Sequence, residues 1–217
     1  MLDRILIRPR AVRTSSESRL RALGFEVNPH LPYLDRTKAR PHREVASRAM
    51  VLMALLQVYF HAPPSAISDW LRENRLLPHL SPSETALLPV SRDELSEQQL
   101  ADRFWTIEAL WALAWVGSLV DDLPFDRPVG GTLASMLPDI GKREPAEPFV
   151  RSYRCRPYHD LFRQVDLHYR AHWFARHCHL RGIETKVVDL DIILERRKAL
   201  EWVLDRSTPW DEITLDT

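Results

Sequence analysis

The sequence predicts a mainly α-helical protein, a single-domain orthogonal bundle of about seven or eight helices with minor or no β-structure. Glycine is scarce, with 6 residues among 217, whereas proline is frequent, with 16. Because proline is costly inside a helix, the proline-free stretches 10–28, 42–62, 90–123 and 158–208 are the candidate helical regions. Apolar residues recur there at helical spacing, and no pair of alternating runs is joined by a hairpin turn. These observations together set the fold class.

Helix boundaries follow from caps and breakers along the chain. Ser81, Pro82 and Glu84 form a capping-box pattern with proline at the first helical position. Ser91 is expected to cap the longest helix, and Gly182 is placed to end another in the left-handed conformation. The predicted helices cover about 15–23, 43–60, 65–75, a short segment after Ser81, 91–119, 132–137, 158–180 and 190–206.

The domain organisation is predicted to be simple. Residues 1–13 form an N-terminal extension or a short strand, and 14–217 form a single helical domain. A loop-rich insertion is expected at about 121–156, and the C-terminal tail is expected to dock in an extended form. The apolar runs 49–60 and 107–120 are shorter than the ~20 residues that a membrane span needs. We therefore expect core helices and no membrane partner.

Charge and cysteine content narrow the partners and the compartment. Lys and Arg number 30, as do Asp and Glu, so the formal net charge is zero. Nucleic-acid binding needs excess positive charge, so no nucleic-acid partner is expected. A protein without net charge has no overall charge repulsion between its copies, so a homodimer is compatible with the composition. Cys155 and Cys178 form no CxxC motif, and the segment after Met1 lacks the apolar core of a signal peptide. We expect a cytoplasmic protein with reduced cysteines, while a Cys155–Cys178 bridge stays open.

Charged residues interrupt several otherwise apolar helices. Because an unpaired buried charge is expensive, one interpretation is a structural network of ion pairs that fixes helix register. Two of its pairs are spaced i, i+4 on one helix face, Glu44 with Arg48 and Asp166 with Arg170. The predicted members of the network are Glu44, Arg48, Asp166, Arg170, Glu195 and Arg197.

The second interpretation of these charges is a polar pocket. Glu108 breaks the apolar stretch of the longest helix, and a carboxylate of raised pKa beside His172 would suit general acid–base chemistry. Both interpretations stay open at this point, because sequence spacing does not show which helices meet. The candidate pocket residues are Glu108, Asp166, His172, Glu195 and Arg196.

Metal and cofactor sites are weighed against plainer roles. His168 and His172 lie four residues apart on one helix face, which is a zinc-ligand spacing. His172 also falls in the apolar stripe of that helix, where a hydrogen bond to a buried carboxylate or carbonyl is expected instead. Gly130 and Gly131 precede a short predicted helix, and a plain turn there competes with an anion site. Nucleotide and zinc-protease motifs are absent, so neither a metal nor a cofactor is predicted.

Tryptophan is abundant, with 7 residues, and its placement separates core candidates from surface candidates. Phe104, Trp111 and Trp115 recur on one stripe of the longest helix, which predicts that they are buried. Trp105 points off that stripe and belongs either to a second core face or to an interface. Trp105 and Trp210 are the candidate binding residues, since exposed aromatic side chains mark interaction surfaces.

Five segments in a fixed order carry a family resemblance. They are Glu44-Val45-Ala46-Ser47-Arg48, Trp105-Thr106-Ile107-Glu108-Ala109-Leu110 running on to Trp115, Asp166 with His172-Trp173, Glu195-Arg196-Arg197-Lys198-Ala199-Leu200-Glu201-Trp202, and Trp210-Asp211 with Asp216-Thr217. Together they resemble the bacterial domain-of-unknown-function family 4272 over about residues 14–217. Thr106 departs from the pattern, since that family usually has Arg there. The resemblance implies a bacterial, cytoplasmic, mostly helical domain and assigns no activity.

Two functions are compatible with these residues. The lack of a catalytic motif, the surplus of tryptophan and the zero net charge favour a non-enzymatic protein-interaction module, of the adaptor or immunity-like kind, with another bacterial protein as partner. The alternative is an unrecognised hydrolase-type enzyme that uses Glu108, Asp166 and His172. An exposed aromatic patch would favour the first function, and convergence of the three side chains on an open cavity would favour the second.

Overall fold

The protein is a mainly α-helical single domain, as predicted. The computed structural model describes residues 6–216, which contain eight α-helices and no strand. The helices are α1 (Pro9–Ala22), α2 (His42–Tyr59), α3 (Pro64–Glu73), α4 (Pro82–Leu87), α5 (Glu97–Val116), α6 (Glu147–Ser152), α7 (Tyr158–Arg181) and α8 (Leu190–Leu204). Short 3-10 turns occur at Leu77–His79, Arg92–Glu94, Leu133–Met136 and Trp210–Glu212. The strand suggested for the N-terminal extension falls largely on residues 1–5, which lie outside the described residues.

Capping boxes start several helical segments. The box at Ser91 begins a 3-10 turn, whereas it was expected to begin the longest helix. Ser81 and Glu84 form the predicted box at the start of α4, with reciprocal hydrogen bonds between side chain and amide. Ser91 also forms a box, but it starts only the 3-10 turn Arg92–Glu94. The extended backbone of Leu95 then breaks the chain direction, and Ser96 caps α5 with a second box. The expected helix over 91–119 is therefore wrong at its start and three residues too long at its end.

Proline and glycine account for three further boundaries. α7 ends at Gly182, whose φ of 65° is a left-handed conformation that glycine adopts without strain. α1 begins at Pro9, so it crosses the boundary that was predicted between residues 13 and 14. The insertion at 121–156 contains α6, which lies outside the proline-free stretches because Pro148 occupies its first turn, where proline is tolerated.

The helices form two apolar cores, a larger one around α2, α5 and α8 and a smaller one between α1 and α7. α5 lies against α8 and α2, and α7 packs on α8 and α1. α2 is buried along nearly its whole length, and a smaller core that includes Leu20, Phe25 and Phe125 joins α1 to α7. Charged residues on these helices therefore need partners inside the protein. No helix within residues 6–216 is long and apolar enough to cross a membrane.

Candidate functional site

Glu108 and Arg196 form an ion pair at the centre of the bundle. Both side chains are almost fully buried, and the Arg196 Nε and Nη2 atoms lie 2.9 and 2.6 Å from Oε2 of Glu108. Arg196 also donates hydrogen bonds to the carbonyls of Pro124 and Arg127, and the Val129 amide donates to Glu108 at 2.8 Å. The pair therefore joins α5 to α8 and holds the loop 124–129 on top of them.

A second buried pair lies on α7 and matches the predicted spacing. Arg170 donates two hydrogen bonds to Asp166, at 2.9 and 3.0 Å, and both side chains are nearly inaccessible to solvent. Arg170 also donates to the carbonyl of Pro32 and lies 3.6 Å from Glu17. This network ties α1 and the loop after it to α7.

His172 contacts an arginine rather than the carboxylate or carbonyl that the sequence suggested. Its Nδ1 lies 2.5 Å from Nη1 of Arg197, which places the neutral imidazole as the acceptor. Arg197 also pairs with Glu201 at 2.6 Å and donates to the carbonyls of Leu215 and Asp216. The arginine therefore links α7, α8 and the C-terminal tail.

Glu44 and Arg48 are spaced as a helical pair but bind different partners. Glu44 pairs with Arg40, in the chain segment that leads into α2. Arg48 makes two parallel hydrogen bonds to Glu84, at 2.7 and 2.5 Å, and a third to the His79 carbonyl. The predicted Glu44–Arg48 pair is thus wrong, because the capping carboxylate of α4 lies closer to the buried guanidinium.

Glu195 was assigned both to the ion-pair network and to the pocket, and it joins neither. Its Oε2 is buried and accepts no hydrogen bond from residues 6–216. Burial raises the pKa of Glu195, while Lys198 opposes that rise. The convergence expected in the catalytic pocket is also missing, because Glu108 binds Arg196, Asp166 binds Arg170 and His172 binds Arg197.

Acid is expected to weaken the fold through His172. Burial and then the charge of Arg197 lower the pKa of His172 from 6.5 to about 4. Between these pH values the unfolded chain binds the proton more readily than the folded chain, so stability is complete above about pH 6.5 and is lost as the pH falls. Urea unfolding should show a loss of about 1–2 kcal/mol from this side chain between about pH 7 and pH 5.

Two variants isolate that effect. His172→Gln removes this titrating group and should remove its share of the pH dependence. A residual slope from His168 should remain, since burial lowers the pKa of His168 to about 3. His179→Gln changes an exposed residue of the same helix and should leave the slope unaltered. Equal acid sensitivity in the wild type and in His172→Gln would show that the Arg197 contact does not govern the transition.

Trp210 is a core residue and not the surface-binding residue that the sequence suggested. Its side chain is only 7% exposed. The ring packs edge-on against Trp202 at 5.5 Å, and the Arg48 guanidinium lies over it at 4.0 Å. The 3-10 turn Trp210–Glu212 therefore closes one end of the bundle by burying this ring.

Trp105 belongs to a chain of four aromatic rings on the surface, which we call the aromatic ledge. Its members are Tyr59, Phe60, Phe104 and Trp105. Successive ring centroids lie 5.2 to 5.4 Å apart from Phe60 through Tyr59 and Phe104 to Trp105. Phe60 is 54% exposed and Phe104 is 37% exposed. The predicted burial of Phe104 is therefore wrong, and the interface alternative for Trp105 is the one that its surroundings favour.

An apolar groove begins where the aromatic ledge ends. It has a volume of about 550 Å³ and lies between α2, α5 and the loop 129–140. Phe60 lines both the ledge and the groove, and Ile107 continues the wall one turn after Phe104. Most of the other lining residues are apolar, and the polar side chains among them include Gln57 and Asp139. Together the ledge and the groove form a continuous apolar surface.

The buried pair Glu108–Arg196 supports one wall of this groove. Glu108 accepts a hydrogen bond from the amide of Val129, and Val129 begins the loop that lines the groove. Gly130 and Gly131 follow in a turn before the 3-10 turn Leu133–Met136. These glycines therefore shape the groove wall and do not open an α-helix that could bind an anion.

His168 is a structural residue of α7, and neither cysteine forms a disulfide. His168 is fully buried, and its Nδ1 lies 3.0 Å from the Gln164 carbonyl of the same helix. Within residues 6–216, no group of three or more His, Cys, Asp or Glu side chains is arranged to hold a metal ion. Cys155 and Cys178 are both free, and burial raises the pKa of the Cys155 thiol to about 12.

These contacts define a small helical protein in which buried ion pairs fasten loops and the tail to the bundle, and in which the aromatic ledge and the groove leave an apolar surface open. The chain belongs to the family described as Domain of unknown function (DUF4272), whose model matches residues 12–213. The family membership predicted from the five segments is thereby confirmed. No curated protein and no solved structure matches the chain.

Proposed function

We propose that this protein is a protein-interaction module of the bacterial cytoplasm that binds an apolar segment of a partner protein. The observation that carries the proposal is the continuity of the aromatic ledge with the apolar groove through Phe60. Aromatic side chains exposed beside an apolar depression are the usual anchors of protein interfaces. The two free cysteines suit a reducing compartment.

A polypeptide partner accounts for more of this surface than a small ligand does. A cavity of about 550 Å³ falls in the size range of small-molecule pockets. A molecule that filled only the groove would leave Phe104 and Trp105 uncovered, since the ledge extends away from it. A partner segment with several apolar side chains covers both parts at once.

A selection from displayed peptides tests the proposal directly. A library of random amphipathic helical peptides is selected on the immobilised full chain, and the recovered sequences are synthesised and titrated. We expect peptides with apolar residues at helical spacing. Ala134→Trp should fill the groove from its exposed rim, and Phe60→Ala with Phe104→Ala should remove two of the four rings of the ledge. Each change should weaken binding by about tenfold or more, as expected for anchor residues.

Leu180→Ala is the matched control for these variants. Leu180 is 73% exposed at the end of α7, so the substitution removes a similar apolar side chain outside the ledge and groove. It should leave peptide affinity unchanged. The proposal fails if no peptide is enriched over a bare surface, or if enriched peptides bind the Ala134→Trp variant as well as the wild type.

A further inference from the structure

Exposed acidic side chains border the aromatic ledge. Asp93, Glu94, Glu97 and Asp102 are all exposed. On α5, Asp102 lies one turn before Trp105, and Glu97 lies two turns before Phe104 on the same face. Asp93 and Glu94 belong to the turn that begins at Arg92, whose guanidinium lies 5.5 Å above the Tyr59 ring. Four carboxylates therefore flank the four rings.

The arginines of the same segment are already engaged with the protein itself. Arg92 donates to the Tyr59 carbonyl at 2.9 Å. Arg103 is buried and donates to the carbonyls of Leu55 and Leu87. Hydrogen bonds from the Ser91 side chain and amide lower the pKa of Glu94, so this exposed carboxylate stays ionised at neutral pH. Arg92 also lies 4.0 Å from Asp93, but the four carboxylates outnumber the two guanidinium groups, so the surface that borders the ledge carries a net negative charge.

We infer that the partner segment is an amphipathic helix that carries Lys or Arg beside its apolar face. The inference rests on the proposed function, and it adds the charge of the partner. The apolar face of such a helix would lie in the groove and on the ledge, and its cationic side chains would reach the carboxylates of Asp93, Glu97 and Asp102. Complementary charge of this kind selects partners and speeds their encounter.

A helix suits the surface better than an extended strand. The groove is formed by two helices and a loop, and no sheet edge occurs among residues 6–216 that could take a strand. A helical ligand presents apolar anchors at i, i+3, i+4 and i+7 on one face, which is the pattern that a groove between helices accepts. Its flanking positions then carry the charges that meet the acidic border.

Two designed peptides of opposite charge test the inference on the full chain. Both have the same leucine-based apolar face, and the flanking positions hold lysine in one peptide and glutamate in the other. Titration calorimetry at low and high salt measures their affinities. We expect the lysine peptide to bind about tenfold tighter at low salt, with the preference shrinking as salt screens the surface charges.

Charge-removing variants locate the preference. The triple variant Asp93→Asn, Glu97→Gln and Asp102→Asn leaves the Glu94 cap intact and should abolish the preference for lysine. Glu26→Gln, Asp35→Asn and Glu184→Gln remove three similarly exposed acids from loops that carry neither ledge nor groove. This control should retain the preference. Melting temperatures of both variants check that the loss of Glu97 from the first turn of α5 has not unfolded the protein.

The outcomes separate the inference from the proposed function. If both peptides bind the wild type equally and Ala134→Trp abolishes both, the charged partner is excluded and the interaction module stands. If neither peptide binds, both ideas fail. If sedimentation shows that the wild type self-associates and Ala134→Trp does not, the groove holds a second copy of the chain, and the inference is overturned.

Discussion

Replacing Glu108 by Ala is expected to destabilise the protein by about 3–5 kcal/mol, because it leaves the Arg196 guanidinium buried without its counter-charge. Glu108 is 1% exposed and Arg196 is inaccessible, so solvent cannot take over the lost hydrogen bonds without local opening. Urea unfolding followed by circular dichroism measures the change. A loss below about 1 kcal/mol would mean that Arg196 reaches solvent and that the pair is not a buried tie.

Two companion variants separate charge burial from side-chain size. Glu147→Ala removes an exposed acid that pairs with Arg43 at 3.1 Å, and it should change stability by less than about 1 kcal/mol. The double variant Glu108→Leu with Arg196→Met replaces both charges by apolar groups and should recover much of the loss. It should not recover the order of the loop 124–129, since the hydrogen bonds to the Pro124, Arg127 and Val129 backbone are gone.

That difference connects the buried pair to the proposed binding surface. Hydrogen exchange of the Val129 amide should be faster in both Glu108 variants than in the wild type, even where the double variant is nearly as stable. Because Val129 starts a wall of the groove, peptide binding should weaken in parallel. In this proposal, Glu108 and Arg196, which the sequence suggested as catalytic candidates, hold the groove wall at Val129 in place.

Sequence spacing predicts a buried pair only when both partners lie on one helix. Asp166 and Arg170 are four residues apart on α7, and they pair as expected. Arg48 has Glu44 at the same spacing, yet its partner is Glu84, 36 residues away in the sequence. Glu108 and Arg196 are 88 residues apart. The sequence indicates that Glu108 and Arg196 are charges inside apolar helices. Only the packing of α5 against α8 shows that the two side chains pair with each other.

The aromatic ledge was only partly predictable for a related reason. A 3.6-residue period places Phe104 on the same stripe as Trp111, and a stripe is buried only where another element covers it. Phe104 lies beside Tyr59, the last residue of α2, and is 37% exposed, so no neighbouring element within residues 6–216 covers this part of the stripe. Of the four ledge residues, only Trp105 was predicted to be a candidate binding residue, because it points away from the apolar stripe. Phe60 was predicted to end a core helix over 43–60, whereas the structure ends α2 at Tyr59 and leaves Phe60 54% exposed.

Replacing Trp210 by Ala is expected to destabilise the protein by about 3–5 kcal/mol, as for other large aromatic residues removed from a core. The ring fills the space between Trp202, Arg48 and Lys198, at 5.5, 4.0 and 5.1 Å. Its loss removes the aromatic face from Arg48 and releases the turn Trp210–Glu212, whose Asp211 accepts hydrogen bonds from Ser83. Thermal unfolding measures the effect, and limited proteolysis of the C-terminal tail shows whether the turn has come away.

Trp105→Ala is the matched control, and the two substitutions should behave in opposite ways. Trp105 is half-buried on the ledge, so its removal should reduce stability less than the Trp210 change and should weaken binding of the selected peptides. Trp210→Ala should leave peptide affinity intact at temperatures where the variant is folded, since Trp210 contributes nothing to the ledge or the groove. Equal destabilisation by both substitutions would place Trp105 in the core, and loss of peptide binding in folded Trp210→Ala would move the binding surface to the C-terminal end of the bundle.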